Sequence, residues 1–159
     1  MLQLNKVHHT AFICSDYQKS KSLYTQIIGL EVLQEIYRAE RDSYKLDLTL
    51  NGNYIVELFS FPNPPKRLSR PESCGLRHLA FEVDNLEQTR SSLVQNNIPS
   101  ENIRKDEYTG KQFFFITDLM IYQSNFTKNR IFNYLTSYSV VHVNSKNKKR
   151  LPQNQIFSL

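Results

Sequence analysis

Four side chains stand out as candidate donors to a divalent cation: His8, His9, Glu57 and His78. Lys6 to Cys14, rich in branched and aromatic types, predicts a strand. Successive side chains of a strand point to opposite faces, so only one of His8 and His9 is expected to serve a given site. Glu57 lies in Tyr54-Ile55-Val56-Glu57-Leu58-Phe59, where a carboxylate among apolar neighbours is costly unless paired or metal-bound. His78-Leu79-Ala80-Phe81 repeats the His, Ala and Phe of His9-Thr10-Ala11-Phe12. Taken singly, a strand histidine is usually structural or exposed, and alternation alone would turn Glu57 outward between buried Val56 and Leu58. Taken together, His9, Glu57 and His78 form a set suited to zinc, nickel or iron.

The elements around these residues recur in order. After the first strand, Ser15 and Asp16 are good caps, and Tyr17, Ser20, Leu23, Tyr24, Ile27 and Ile28 keep helical spacing until Gly29. Glu31 to Arg38 predicts a strand, and the alternation Tyr44, Leu46, Leu48, Leu50 predicts another with one buried face. Asn51-Gly52-Asn53 is a hairpin turn before a returning strand, Tyr54 to Phe59. Pro62, Pro64, Pro65 and Pro71 mark a connector. The order then begins again: a strand over Leu76 to Val83, a helix over Leu86 to Gln95, and strands at Ile103 to Lys105 and Gln112 to Thr117. An internal duplication is therefore expected. Two such modules packed about a pseudo-twofold axis would bring equivalent histidines together.

Charge sets limits on partners. The chain has 159 residues and a formal net charge of +5. Residues 1 to 118 hold 14 Lys+Arg against 15 Asp+Glu, and residues 119 to 159 hold six basic residues and no acid. A phosphate-binding groove would run through the folded body, which is close to neutral, so no nucleic-acid partner is expected. Met1 to Lys6 has no targeting pattern and no apolar run approaches spanning length, so no membrane association is expected. Cys14 and Cys74 are too few for a disulfide framework and are expected to stay reduced in the cytoplasm.

Val7-His8-His9-Thr10-Ala11-Phe12, Asn51 to Pro62 and Ser69 to Phe81 resemble a bacterial branch of the vicinal oxygen chelate superfamily, glyoxalase I-like, and the likeness spans residues 2 to 118. The resemblance implies an α+β fold of two tandem βαβββ modules, module one at about 5–62 and module two at about 75–128, within one domain over 1–128. It implies a homodimer with the site between modules, and it makes His9, Glu57 and His78 three of four metal ligands, with nickel or zinc as the ion. The implied activity is that of a lyase or isomerase of the lactoylglutathione lyase type, acting on a 2-oxoaldehyde–thiol hemithioacetal, with a glutathione adduct as the partner by analogy. Extradiol dioxygenases and fosfomycin-resistance transferases generally lack a counterpart of Glu57, so its presence favours the glyoxalase type. A non-catalytic small-molecule binding or resistance protein, or a metal-dependent dioxygenase, is the alternative on this scaffold. Arg67, Arg70 and Arg77 are candidates for a substrate carboxylate, although connector arginines are more often solvated surface.

The pattern breaks after Asp118. The family closes with a segment like Asp-Pro-Asp-Gly-x-x-Ile-Glu-x-Tyr, whose glutamate is the fourth ligand and the catalytic base. Here Leu119-Met120-Ile121-Tyr122-Gln123-Ser124-Asn125-Phe126-Thr127 follows, with Asn125 at the glutamate position. An amide oxygen is a poor substitute for a carboxylate beside a cation and cannot act as a base. Leu119 to Thr127 can be encoded so that one restored C gives Pro-Asp-Asp-Leu-Pro-Ile-Glu-Phe-Tyr in register. The late strand is therefore expected to be altered by a frameshift, with residues beyond about 118 packing poorly and 129–159 a poorly structured basic tail. Re-sequencing the gene across codons 116 to 130 is expected to reveal the missing base; the same unbroken frame in independent isolates would make the tail genuine.

Overall fold

The computed structural model describes residues 1–65, 71, 74–117 and 123–128. Asp16 is extended, and its carboxylate accepts from the Lys19 amide, which caps helix α1 (Tyr17–Ser22) at its first turn. The chain continues as a π-helical turn over Leu23–Ile27, wider than the α-helix its spacing predicts, and Gly29 leaves it at φ 88°. Strand β1 (Thr10–Cys14) precedes this helix, and β2 (Glu31–Arg38), β3 (Ser43–Leu50) and β4 (Asn53–Ser60) follow it. Asn51 and Gly52 both take positive φ, 51° and 74°, as the hairpin between β3 and β4 requires. β1 is shorter than its composition predicts, and His8 and His9 lie ahead of it.

The second half repeats the plan with β5 (His78–Val83), α2 (Leu86–Gln95), β6 (Arg104–Lys105), β7 (Gln112–Thr117) and β8 (Gln123–Lys128). Asn85 caps α2 by accepting from the Gln88 amide. The sheets run β1-β4-β3-β2 and β5-β8-β7-β6, so each places its first strand beside its fourth. In both sheets that pairing is parallel, and the third strand runs antiparallel to the fourth. Matching strand orders are the structural form of the duplication, and the architecture is the α+β pair of modules expected.

Alternation divides each sheet into a dry face and an open one. In β1, Phe12 and Cys14 are buried while Ala11 and Ile13 are exposed. Phe12, Leu46, Leu48, Val56 and Leu58 form the apolar interior with Tyr17, Leu23 and Tyr24 of the first helical segment. Phe81, Phe114, Ile116 and Phe126 do so with Leu86 and Leu93 of α2. The first helix is also tied to the edge strand: Tyr17 donates to Glu35 at 2.7 Å, and Lys21 binds the other oxygen of that carboxylate. Those bonds hold the Glu35 carboxyl below its ordinary range, the Lys21 contact most strongly and the Tyr17 contact next.

Residues 123–128 form β8 between β5 and β7, with Phe126 only 4% exposed. Its ring stacks on Phe81 at 5.9 Å and on Phe114 at 5.1 Å. Asn125 and Thr127 face away from that interior, so the apolar-polar alternation needed here survives in the written sequence. The segments 118–122 and 129–159, including the expected tail, lie outside the described residues. Phe126→Ala should lower stability by about 3–5 kcal/mol, the cost of emptying a core aromatic site. Urea unfolding is the check, and a loss below about 1 kcal/mol would mean that β8 does not close the second sheet in solution.

Candidate functional site

Glu57 is placed by its two neighbouring strands. In the register of the first sheet it lies opposite Ala11 of β1 and Asp47 of β3. His9, just ahead of β1, reaches the same open face, and its Nε2 stands 3.3 Å from Glu57 Oε2. Tyr54, also on β4, stacks on the His9 ring at 4.7 Å between centroids and 21° between planes. Glu57 is not a lone carboxylate. Lys45 Nζ lies 2.9 Å from Glu57 Oε1, and at 2.7 and 2.8 Å from the two oxygens of Asp47. Asp47, 6% exposed, also accepts from the Tyr54 hydroxyl at 2.8 Å.

The electrostatics of this cluster follow from those contacts. Burial pulls the Lys45 ammonium down, but its bonds to Asp47 and Glu57 outweigh this and its pKa is raised. Burial, then the bond to Asp47, pushes the Tyr54 phenol up, so it stays a neutral donor. Lys45, Asp47 and Tyr54 escaped the sequence reading. Lys45 and Asp47 alternate with buried Leu46 and Leu48, which is the pattern of a wet face. The signal that marks them is their spacing: Asp47 is the cross-strand partner of Glu57.

The expectation for His8 also changes. Because both histidines precede β1, strand alternation does not govern them, and their rings meet edge to face with Nδ1 to Nδ1 at 2.8 Å. One Nδ1 donates and the other accepts, which leaves His9 Nε2 facing Glu57. His8 thus stands beside His9 as a neighbour that fixes its ring, and not on an opposite face.

His78 occupies the matching place in the second sheet. Ala80 and Phe115 flank Asn125 in register, as Ala11 and Asp47 flank Glu57. Asn125 is thus the counterpart of Glu57 in this duplicated framework. His78 Nδ1 and Asn125 Oδ1 are both buried without a hydrogen-bond partner. Both line an open cleft of about 460 Å³ with Phe113, Phe115, Arg77, Arg104 and Lys111 among its walls. Arg104 lies over Phe113 and Phe115 at 5.2 and 5.6 Å and pairs with Glu101 at 2.6 Å. Arg77 reaches this cleft, whereas Arg67 and Arg70 fall outside the described residues.

The donor chemistry can be compared with what a divalent ion needs. Two donors about 2.1 Å from one ion, at angles between square and tetrahedral, stand about 3.0–3.4 Å apart. The 3.3 Å between His9 and Glu57 falls in that span. The orphaned His78 and Asn125 atoms are two further donors, the second a neutral one. Among the described residues of a single chain, no three His, Cys, Asp or Glu side chains converge on one point. His9 with Glu57, and His78 with Asn125, are two separate pairs on two sheets.

The family model of the Glyoxalase/Bleomycin resistance protein/Dioxygenase superfamily matches residues 6–119. The chain is 56% identical over 115 residues to the uncharacterized protein YwkD of Bacillus subtilis, covering 72% of this chain and 90% of that protein. It is 53% identical over 118 residues to the uncharacterized protein YaeR of Escherichia coli, covering 74% of this chain and 92% of that one. The crystal structure of the glyoxalase family protein from Enterococcus faecalis is similar at a TM-score of 0.72 and 38% identity, over 77% of this chain and 96% of the other.

The charge cluster generates an expectation of its own. Lys45→Met leaves Asp47 and Glu57 facing each other without a cation, and should cost about 2–3 kcal/mol at neutral pH. A raised lysine pKa stabilises below its unfolded value and loses that contribution as pH rises through the folded value. The wild-type chain should therefore lose stability on the alkaline side, and the variant should lack that loss. Denaturant unfolding from acid to alkaline pH tests this, and a deficit independent of pH would contradict it.

Proposed function

The chain belongs to the Glyoxalase/Bleomycin resistance protein/Dioxygenase superfamily, and from that premise we propose a glyoxalase I-type activity, that of a metal-dependent lyase or isomerase acting on a 2-oxoaldehyde–thiol hemithioacetal. Members of the superfamily generally use divalent metal ions, bind small molecules and are often dimeric. The observation that carries the reading is the 3.3 Å approach of His9 Nε2 to Glu57 Oε2 on an open sheet face, a spacing that suits two donors on one ion. We assign His9, Glu57 and His78 as the ligands of a nickel or zinc ion. The two pairs of a single chain are separate, so a homodimer in which each copy supplies one pair is the assembly that completes the set. A lactoylglutathione lyase type of substrate and a cytoplasmic setting belong to the same proposal. No helix among the described residues is long and apolar enough to cross a membrane.

A divalent ion here would supply Lewis-acid polarisation to two adjacent substrate oxygens. The chain's own groups do the rest. Phe113 and Phe115 give the substrate's apolar part a wall, and Arg77, Arg104 and Lys111, with Glu101 and Asp106, set a charged rim. The reaction also needs a base to move a proton between adjacent carbons, and Asn125 cannot be one. Glu57 is a poor replacement, because Lys45 and His9 already engage its two oxygens. Activity should therefore be weak in the chain as written. Asn125 favours a second reading, a non-catalytic small-molecule binding or resistance protein on this scaffold.

Metal content and turnover separate these readings. The full chain should take up nickel or zinc, lose it on His9→Ala or His78→Ala, and turn over methylglyoxal with glutathione slowly. Restoring the frame after Asp118 should raise turnover by about 10²-fold or more, the scale of a general base. Asn125→Glu alone should recover less, because the neighbouring strand residues remain changed. Metal uptake with no turnover in either form would support the binding protein, and full activity of the present form would overturn the role given to the late glutamate. A chain that binds neither nickel nor zinc in any form would remove the metal reading.

A further inference from the structure

Asp47 lies on the same face as Glu57 but is more buried than it. Its side chain is 8% exposed, against 14% for Glu57 and 25% for Lys45. It takes Lys45 Nζ on both oxygens, at 2.7 and 2.8 Å, and the Tyr54 hydroxyl on one, at 2.8 Å. Tyr54 carries its reach to the His9 ring, on which the phenol stacks, and Lys45 carries it to Glu57 Oε1. Each of the two candidate ligands is thus held by one arm, and both arms end on this buried carboxylate.

A lysine in this place creates a conflict. Its ammonium sits 2.9 Å from the carboxylate proposed to hold a divalent cation, where it competes for the same charge. Nothing in ligand chemistry asks for a cation so close to the ion. The arrangement becomes intelligible if the lysine is kept from closing on Glu57 fully. Asp47 does this by making two contacts to Lys45 where Glu57 makes one, each shorter than the contact to Glu57.

We propose that Asp47 is a positioning residue of the metal half-site: it holds the Lys45 ammonium on itself, so that Glu57 and His9 stay available to a divalent cation. The inference rests on the metal reading above. Lys45 balances the two carboxylates while the ion is absent and remains with Asp47 when the ion is present. Tyr54 keeps the His9 ring in place in both conditions. In the second half-site the counterparts of Asp47 and Glu57 are Phe115 and Asn125, both neutral, and no lysine is needed there.

Three full-length variants test this with nickel or zinc alone, by calorimetric titration or competition with a chromophoric chelator. Asp47→Asn keeps an oxygen for the Tyr54 hydroxyl but loses the charge that retains Lys45. Metal affinity should fall about 10- to 100-fold, the usual effect of losing a group that supports a ligand. Lys45→Met added to Asp47→Asn should bring the affinity back to within a few-fold of wild type, because the competing cation is gone. A merely structural role for Asp47 predicts the opposite, that the double variant is worse than either single one. Lys45→Met alone should bind at least as tightly as wild type, and its melting temperature should rise more on adding metal. That variant keeps Asp47 and so carries the test if Asp47→Asn fails to fold. Equal affinity of wild type and Asp47→Asn, no recovery in the double variant, or loss of binding in Lys45→Met would overturn the inference and leave the metal site standing. No binding by the wild-type chain would overturn the metal reading and this inference with it.

Discussion

The cross-strand register of the fourth strand in each sheet is the constraint on which the rest depends. β4 is hydrogen-bonded in parallel to β1 and antiparallel to β3, so the side chain at Glu57 meets contributions from both sides. A shift of one residue would turn Glu57 into the apolar interior and bring Leu58 to the open face. The burial of Val56 and Leu58, both 0% exposed, makes that slip costly. Core packing thereby fixes the position of a carboxylate that takes no part in the core. The same logic holds in the second sheet, where buried Phe126 fixes the face on which Asn125 lies.

The two sheets share a framework and differ in charge. The first open face carries His9, Glu57, Asp47 and Lys45, a cluster whose charges nearly balance internally. The second carries His78 and Asn125 beside Phe113 and Phe115, with two arginines, a lysine, Glu101 and Asp106 around the cleft. Duplication preserves the strand positions because the core enforces them, while the open faces are free to diverge. Lys45 and Asp47 show how far that has gone: a carboxylate pair close enough to repel is stabilised by an ammonium placed between its members. Such a pair is tolerable at this burial only because each charge has a partner.

The late strand separates what closes a sheet from what supplies its chemistry. The relatives are matched over 90% and 92% of their lengths, and the family match ends at residue 119, before β8. Gln123–Lys128 nevertheless pairs with both neighbours, because Asn125, Phe126 and Thr127 alternate as the sheet needs. Strand closure asks for hydrogen bonds and one dry face, and Phe126 supplies the dry face. The chemistry asks for a carboxylate at one position, and alternation cannot supply that.

Sequence by itself determined the order of the elements, the duplication, and the equivalence of His9 with His78. Those follow from local patterning, since period-two alternation, the cap at Asp16 and the turn at Asn51-Gly52 are all encoded within a few residues. The family resemblance also put Asn125 where the late glutamate stands, whereas its equivalence with Glu57 came from the register of the second sheet. Tertiary structure decided the rest. Where β1 begins settled how His8 stands to His9, since alternation applies only within a paired strand. The partners of Glu57 lie ten and twelve residues away on β3, brought close by a hairpin whose register depends on the core as well as on the turn. Lys45 and Asp47 read along the chain as an ordinary wet face. Only when β3 lies beside β4 do their charges fall on Glu57, because contact between strands is set by long-range packing that no local window contains.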